Sequence, residues 1–141
     1  MKNSEGYQLF VYGSLRSGFR SPAYEYISRY FDLVGNGKVK GKLYDLGEYP
    51  AAKPANENKF IIGELYSIRN EKEFAWAIGQ LDDYEGVHVG FDETQLYRRE
   101  IVEVYIDNRT TNAWIYWYHG DVNDKPVIES GDVLQYMDQK K

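Results

Sequence analysis

The sequence predicts an α+β fold: a small mixed β-barrel or twisted sheet with flanking helices packed outside it. Strand-like segments outnumber helical ones, and adjacent strands are joined mostly by turns, which argues against a doubly wound sheet. At 141 residues and 43% hydrophobic content the chain has the size of one domain with one continuous core, so residues 1–141 are read as a single domain. Fourteen Tyr, six Phe and three Trp bring the aromatic share to 16%, so core and pocket walls should be lined by rings with polar handles.

Each element has its own signal. Tyr7 to Tyr12 is a compact apolar run ended by Gly13, read as a buried strand entering a tight turn. Ser21-Pro22 supplies an N-cap and a first-turn proline, and Ala23, Ile27 and Tyr30/Phe31 recur at helical spacing, which predicts a helix over Pro22–Phe31. Gly35-Asn36-Gly37 is a turn signal, and Lys38–Leu46 alternates through Val39, Gly41 and Leu43 as a strand. Ala51–Lys59 is expected to be a loop and Phe60–Ile68 the next strand. Asn70–Tyr84 is the clearest helix. After an irregular stretch to Leu96, Arg98–Ile106 alternates as a strand with Val102, Val104 and Ile106 on one face. Asp107-Asn108-Arg109-Thr110 makes a hairpin turn into the aromatic strand Ala113–Tyr118, and a short helix over Val133–Met137 follows Ser130-Gly131-Asp132.

Charge and composition exclude several function classes. A net charge of −5 with scattered basic residues opposes binding to phosphate backbones. The absence of cysteine removes disulfides, thiolate nucleophiles and Cys-based zinc sites. No stretch approaches the ~18–20 apolar residues of a bilayer span, and Leu9-Phe10-Val11 is far too short for a signal-peptide core. The expectation is a cytoplasmic protein with no nucleic-acid and no membrane partner.

The sharpest site argument lies at the end of the long helix. Phe74, Ile78 and Leu81 share one face, and four residues further on the same stripe falls Glu85, just before Gly86. A carboxylate on an apolar stripe is costly to ionise, and a raised pKa is what a general base working near neutral pH needs. The structural alternative is a side chain that swings outward or pairs with Arg98 or Arg99. Asp83 is assigned to solvent. The second feature is the turn Gly13-Ser14-Leu15 after Tyr12, where successive backbone N–H groups can converge on an anion; the Gly-Lys-Ser/Thr signature of a phosphate loop is missing. Ser14 with His88 or His119 makes a weak hydrolase triad, because Gly-x-Ser-x-Gly is absent. Two histidines without ligand spacing argue against a metal. Arg16 and Arg20 can steer an acidic substrate or simply be solvated.

Val11-Tyr12-Gly13-Ser14-Leu15-Arg16-Ser17-Gly18, Leu43-Tyr44-Asp45-Leu46-Gly47-Glu48-Tyr49-Pro50-Ala51, Leu81-Asp82-Asp83-Tyr84-Glu85-Gly86 and Tyr97-Arg98-Arg99, in this order and spacing, resemble the γ-glutamylcyclotransferase-like (AIG2-like) family. The resemblance runs from about Leu9 to Tyr118. It implies the γ-glutamylcyclotransferase-like fold and a cofactor-independent conversion of a γ-glutamyl amine or dipeptide into 5-oxoproline and a free amine. It further implies that Glu85 is the acid/base, that the Tyr12-Gly13-Ser14-Leu15 loop holds the substrate carboxylate through backbone N–H groups, and that Tyr116 or Tyr118 closes the pocket. Hydrolysis through the same residues and a non-catalytic module that binds γ-glutamyl or other carboxylate metabolites are the competing functions. The expected partner is a small γ-glutamyl compound, with the chain a monomer or a homodimer through the edge of the aromatic strand.

Overall fold

The computed structural model of the chain describes residues 8–12, 22–46, 50–55, 59–85, 97–132 and 136, with backbone alone at 22–24 and 83–85. In chain order it contains β1 (Gln8–Val11), α1 (Pro22–Tyr30), β2 (Phe31–Lys40), β3 (Lys42–Asp45), β4 (Pro50–Lys53), β5 (Phe60–Ile68), a 3-10 turn (Glu71–Glu73), α2 (Phe74–Glu85), β6 (Tyr97–Ile106), β7 (Arg109–Tyr118) and β8 (Val127–Ile128). The strands β1, β5, β2, β6 and β7 close in that order into a barrel, beside a three-stranded sheet of order β4, β3, β8. The barrel's pairings are antiparallel apart from the closing one, in which β1 runs parallel to β7 with Leu9 opposite Trp114. The α+β barrel class expected from the sequence is the class observed.

Period-two side chains give the barrel wall two different faces. Phe10, Tyr12, Val39, Ile61, Leu65, Val104, Ile106, Ala113, Ile115 and Trp117 form the inner cluster, joined by Leu43, Ala52 and Ile128 of the second sheet. On the outer face Leu9, Val11, Phe31, Tyr66, Ile68, Tyr97 and Tyr116 pack against Ile27 of α1 and Phe74, Ala77, Ile78 and Leu81 of α2. That spacing is the single apolar stripe of an amphipathic helix. Asn70 caps the 3-10 turn that leads into α2, its side chain accepting from the Lys72 N–H at 3.0 Å.

Three stretches depart from the sequence expectation. Gly35-Asn36-Gly37 is not a turn: β2 continues through it to Lys40, and the expected strand Lys38–Leu46 is divided at Gly41 into the end of β2 in the barrel and β3 in the second sheet. Gly37 stands opposite Gly63 of β5. A Cβ at Gly37 would lie 3.0 Å from Val104 Cγ1 and 3.2 Å from the Tyr105 carbonyl, so glycine here answers a close approach within the barrel wall. A bulge between Leu33 and Gly35 restores the register around it. Second, the expected loop Ala51–Lys59 begins as a strand: β4 pairs with β3, Leu43 opposite Ala52. Ala51 and Ala52 are fully buried, and Pro50 sits at the strand's first position, where its missing N–H is tolerated. Third, β7 starts at Arg109 rather than Ala113, and the hairpin turn shrinks to Asp107-Asn108, with Asp107 in the left-handed region at φ 53°. The short β8 gave no signal at two residues. Of the expected helix Val133–Met137 only Tyr136 lies within the described residues.

Candidate active site

The direction of α2 decides where its last turn arrives. Its first residue, Phe74, packs edge-on against Phe31 at 6.4 Å between centroids, next to the end of β5 and the start of β1. About two turns later Asp82 meets β6 and β7. Arg99 Nε and Nη2 donate to Asp82 Oδ1 and Oδ2 at 2.7 and 3.0 Å, and the Tyr116 hydroxyl donates to Oδ1 at 2.8 Å. Arg99 and Tyr116 are direct cross-strand partners on the outer face, so β-pairing aims both groups at one carboxylate. Asp82 is 2% exposed and Tyr116 3%. The fork-to-carboxylate geometry neutralises a charge that burial would otherwise penalise heavily.

The turn after Asp82 ends α2 at Glu85. The next outer-face pair beyond Arg99 and Tyr116 is Tyr97 and Tyr118. These rings touch edge-on with centroids 5.5 Å apart. Because β1 is parallel to β7, β1 finishes at this same end of the barrel, and its successor Tyr12 donates its hydroxyl to the Tyr116 carbonyl. Thus Asp82, three residues before the end of α2, gathers with Tyr12, Tyr116 and Tyr118 at one end of the barrel. Gly13, Ser14 and Leu15 lie outside the described residues, as does the Glu85 side chain.

Other groups surround this end. Tyr97 donates to the Pro50 carbonyl at 3.3 Å, fixing the edge of β4 against it. The Lys53 ammonium stands 5.6 Å from the centre of the half-buried Tyr118 ring. Burial first, and then repulsion from Arg98, lower the Lys53 pKa, with Asp121 acting in the opposite sense. Arg98 bonds Glu100 at 2.8 Å, so the two arginines of Tyr97-Arg98-Arg99 have different partners. Glu64 of β5 is a second buried carboxylate, opposite Val11 at the end of β1, and accepts the Tyr66 hydroxyl at 2.9 Å. Ser14 and His88 lie outside the described residues, and His119 is exposed. Among the described residues no three His, Cys, Asp or Glu side chains converge on a point that could hold a metal, and no helix is long and apolar enough to cross a membrane.

Asp82 is the residue that sequence reasoning passed over; the sequence offers Arg99 as a partner of Glu85, and the structure puts it on Asp82. A signal for Asp82 exists in hindsight: it follows Phe74 and Ile78 at intervals of four, the same row of the helix. Which carboxylate Arg99 meets is visible only once α2 lies across β6 and β7.

Comparison with known proteins follows the same geometry. Residues 9–135 match the family model described as "Gamma-glutamyl cyclotransferase, AIG2-like". The γ-glutamylcyclotransferase family protein YtfP of Escherichia coli K12 is 30% identical over 90% of this chain and 96% of its own length. Its solution structure resembles this one with a TM-score of 0.62 over 95% of this chain and 99% of that one. YkqA of Bacillus subtilis, 25% identical, superposes with a TM-score of 0.68 over 96% of this chain and 43% of that one. The γ-L-glutamyl-butirosin B γ-glutamyl cyclotransferase of Niallia circulans is 31% identical over 80% of this chain and 67% of its own length.

Proposed function

Because the chain belongs to the AIG2-like γ-glutamylcyclotransferase family, we propose that it converts a γ-glutamyl amine or dipeptide into 5-oxoproline and a free amine, with Glu85 as the acid/base. The observation that carries this reading is the seating of α2. Asp82, three residues before Glu85, is bonded to both Arg99 and Tyr116, at the barrel end where β1 runs out into Tyr12. This arrangement supports a pocket shared by the helix-end glutamate and the strand that runs out at Tyr12.

In the proposed reaction the backbone N–H groups of Gly13, Ser14 and Leu15 hold the substrate's α-carboxylate, and Tyr118 walls the glutamyl chain. Glu85 takes a proton from the α-ammonium. The freed amine attacks the γ-carbonyl carbon, a C–N bond forms to close the five-membered lactam, and the C–N bond to the leaving amine breaks as Glu85 returns its proton to that nitrogen; the second proton of the attacking nitrogen follows by the same carboxylate, so the products are a neutral lactam and an ammonium. Atoms and charge balance within the substrate, so no co-reactant is required. Proton transfer by a positioned carboxylate is worth about 10²–10⁴-fold, and holding the glutamyl group bent supplies a proximity contribution as well. The net charge of −5 fits a small-molecule substrate better than a nucleic acid, and the cytoplasm is the location proposed for the reaction.

The test is incubation of the purified protein and its Glu85→Gln variant with a panel of γ-glutamyl amines and γ-glutamyl dipeptides, with products identified by mass. 5-Oxoproline from the parent, reduced at least ~100-fold in the variant, is the expected result. Free glutamate without 5-oxoproline would make the chain a hydrolase, and bound but unturned substrate would make it a binding module.

A further inference from the structure

Tyr116 bonds in two directions. Its hydroxyl donates to Asp82 in the penultimate turn of α2, and its carbonyl oxygen accepts the hydroxyl of Tyr12 at the end of β1. One residue therefore joins the helix that carries Glu85 to the residue that precedes Gly13. Its cross-strand neighbour Arg99 occupies both carboxylate oxygens of Asp82, and the Arg99 guanidinium is itself oriented by lying over the Trp114 ring, 4.3 Å from the centroid. Tyr116 is 3% exposed and its hydroxyl already has an acceptor in the protein.

Stability alone does not account for this arrangement. A buried ion pair can usually be replaced by apolar residues of similar volume with no loss, because desolvation offsets most of its attraction. What the pair supplies and a leucine would not is direction: two N–H donors and one O–H donor fix the carboxylate in rotation as well as depth. The final turn of a helix has carbonyls without intrahelical partners and frays readily, and Glu85 is the last residue of α2. Misplacement of a reacting group by ~1 Å costs on the order of 10²-fold in rate.

We propose that Asp82, Arg99 and Tyr116 are positioning residues that fix the last turn of α2, which carries Glu85, relative to Tyr12 at the end of β1, with Tyr116 as their common anchor. This rests on the reading of Glu85 and the Gly13 loop as the reacting parts, and it assigns Tyr116 a place behind the pocket instead of in contact with substrate.

The experiment compares the full chain with its Tyr116→Phe and Asp82→Asn variants by steady-state 5-oxoproline formation, pH profile, Tm and amide hydrogen exchange. Tyr116→Phe removes one oxygen and leaves the Arg99–Asp82 pair, so it decides the matter should Asp82→Asn fail to fold. The expected result is a fall in kcat of about 10- to 100-fold with KM within about 2-fold, and an unchanged shape of the pH profile. Exchange should quicken at least ~10-fold both at Leu81–Glu85 and at Tyr12–Leu15, while Ile61–Leu65 of the barrel stays as protected as in the parent. A folded Tyr116→Phe protein with the parent's kcat overturns the proposal. So does a KM raised ~10-fold at constant kcat, which would make Tyr116 a substrate contact. Should the parent form no 5-oxoproline, the catalytic reading has failed, and hydrogen exchange judges the positioning role by itself: joint quickening of the two segments upholds it, and quickening of one or neither overturns it.

Discussion

Facing into the barrel, β5 and β7 carry Ile61, Leu65, Ala113, Ile115 and Trp117; facing outward, the intervening positions of the same strands carry Glu64, Tyr66, Trp114, Tyr116 and Tyr118. The inner set is specified by volume and shape, since close-packed apolar side chains tolerate neither voids nor excess. The outer set mixes ring bulk with hydroxyl, carboxylate and indole groups, and its bonds run between elements, from Tyr116 to Asp82, as well as along one strand, from Tyr66 to Glu64. Shape holds a wall together. Directional bonds orient what shape alone leaves free to rotate, and on the face that meets α2 they fix Asp82.

Adding bulk to the wall should have the largest effect on this division. A Cβ at Gly63 would overlap the Val11 carbonyl oxygen and stand 2.6 Å from the Phe10 ring, and the obstructing oxygen is backbone. Gly63→Ala is expected to cost at least ~5 kcal/mol, the lower end of a domain's whole margin, and to leave little folded protein by circular dichroism. A variant with the parent's Tm would show that the wall yields and is not specified by shape. Next comes the outer face. Arg99→Ala strands Asp82, 2% exposed, without its guanidinium and should cost about 3–5 kcal/mol in urea unfolding. Adding Asp82→Leu should recover at least half of that stability; no recovery would mean that the outer face depends on the ion pair for packing as well as direction.

Smaller effects separate the faces further. Tyr26 ties α1 to α2 by donating to the Ala77 carbonyl at 3.0 Å, and burial, followed by repulsion from Tyr30, pushes its pKa from 10.0 up to about 12. A folded-state pKa above the unfolded one means that Tyr26 contributes stability in full below pH 10 and loses it as pH rises toward 12. Tyr26→Phe should be about 1 kcal/mol less stable at pH 8, with a shallower decline between pH 10 and 12 than the parent. Equal slopes in denaturant titrations across that range would remove Tyr26 as the cause. The smallest change is a gain: a Cβ at Gly79 of α2 meets nothing within 4 Å, so Gly79→Ala should add about 0.5–1 kcal/mol from helix propensity alone. A loss there would show that this side of α2 is covered.

What the sequence discloses of the fold follows the strength of local periodicity. Phe60–Ile68 agrees with β5 at both ends and the α2 stripe agrees through Leu81, because alternation and helical spacing are local properties. Gly35-Asn36-Gly37 misleads because glycine marks a turn and a close strand approach alike, and only the placement of Val104 and Gly63 distinguishes them. Pro50-Ala51-Ala52-Lys53 hides a strand because two small side chains carry no alternation. Of the candidate site, the helix stripe pointed to its last turn but not to the buried Asp82. The Asp82–Arg99–Tyr116 cluster depends on the β6–β7 register and on how α2 lies across it, and neither is a property of neighbouring residues. The Gly13–Leu15 loop carried meaning mainly through its likeness to a family.

The parallel closure of β1 on β7 has a consequence for how the molecule comes to exist. Leu9 meets Trp114 across the most distant pairing in the barrel, through a strand only four residues long. Such contacts form late, because the entropy of closing so long a segment must be met before the pairing is rewarded. Until then β5 and β7 present open, ring-rich edges of the kind that recruit other chains. The same late step brings Tyr12 onto the Tyr116 carbonyl. Barrel closure and site assembly are thus a single event in folding, and a chain halted just short of it would be idle and prone to aggregation at once.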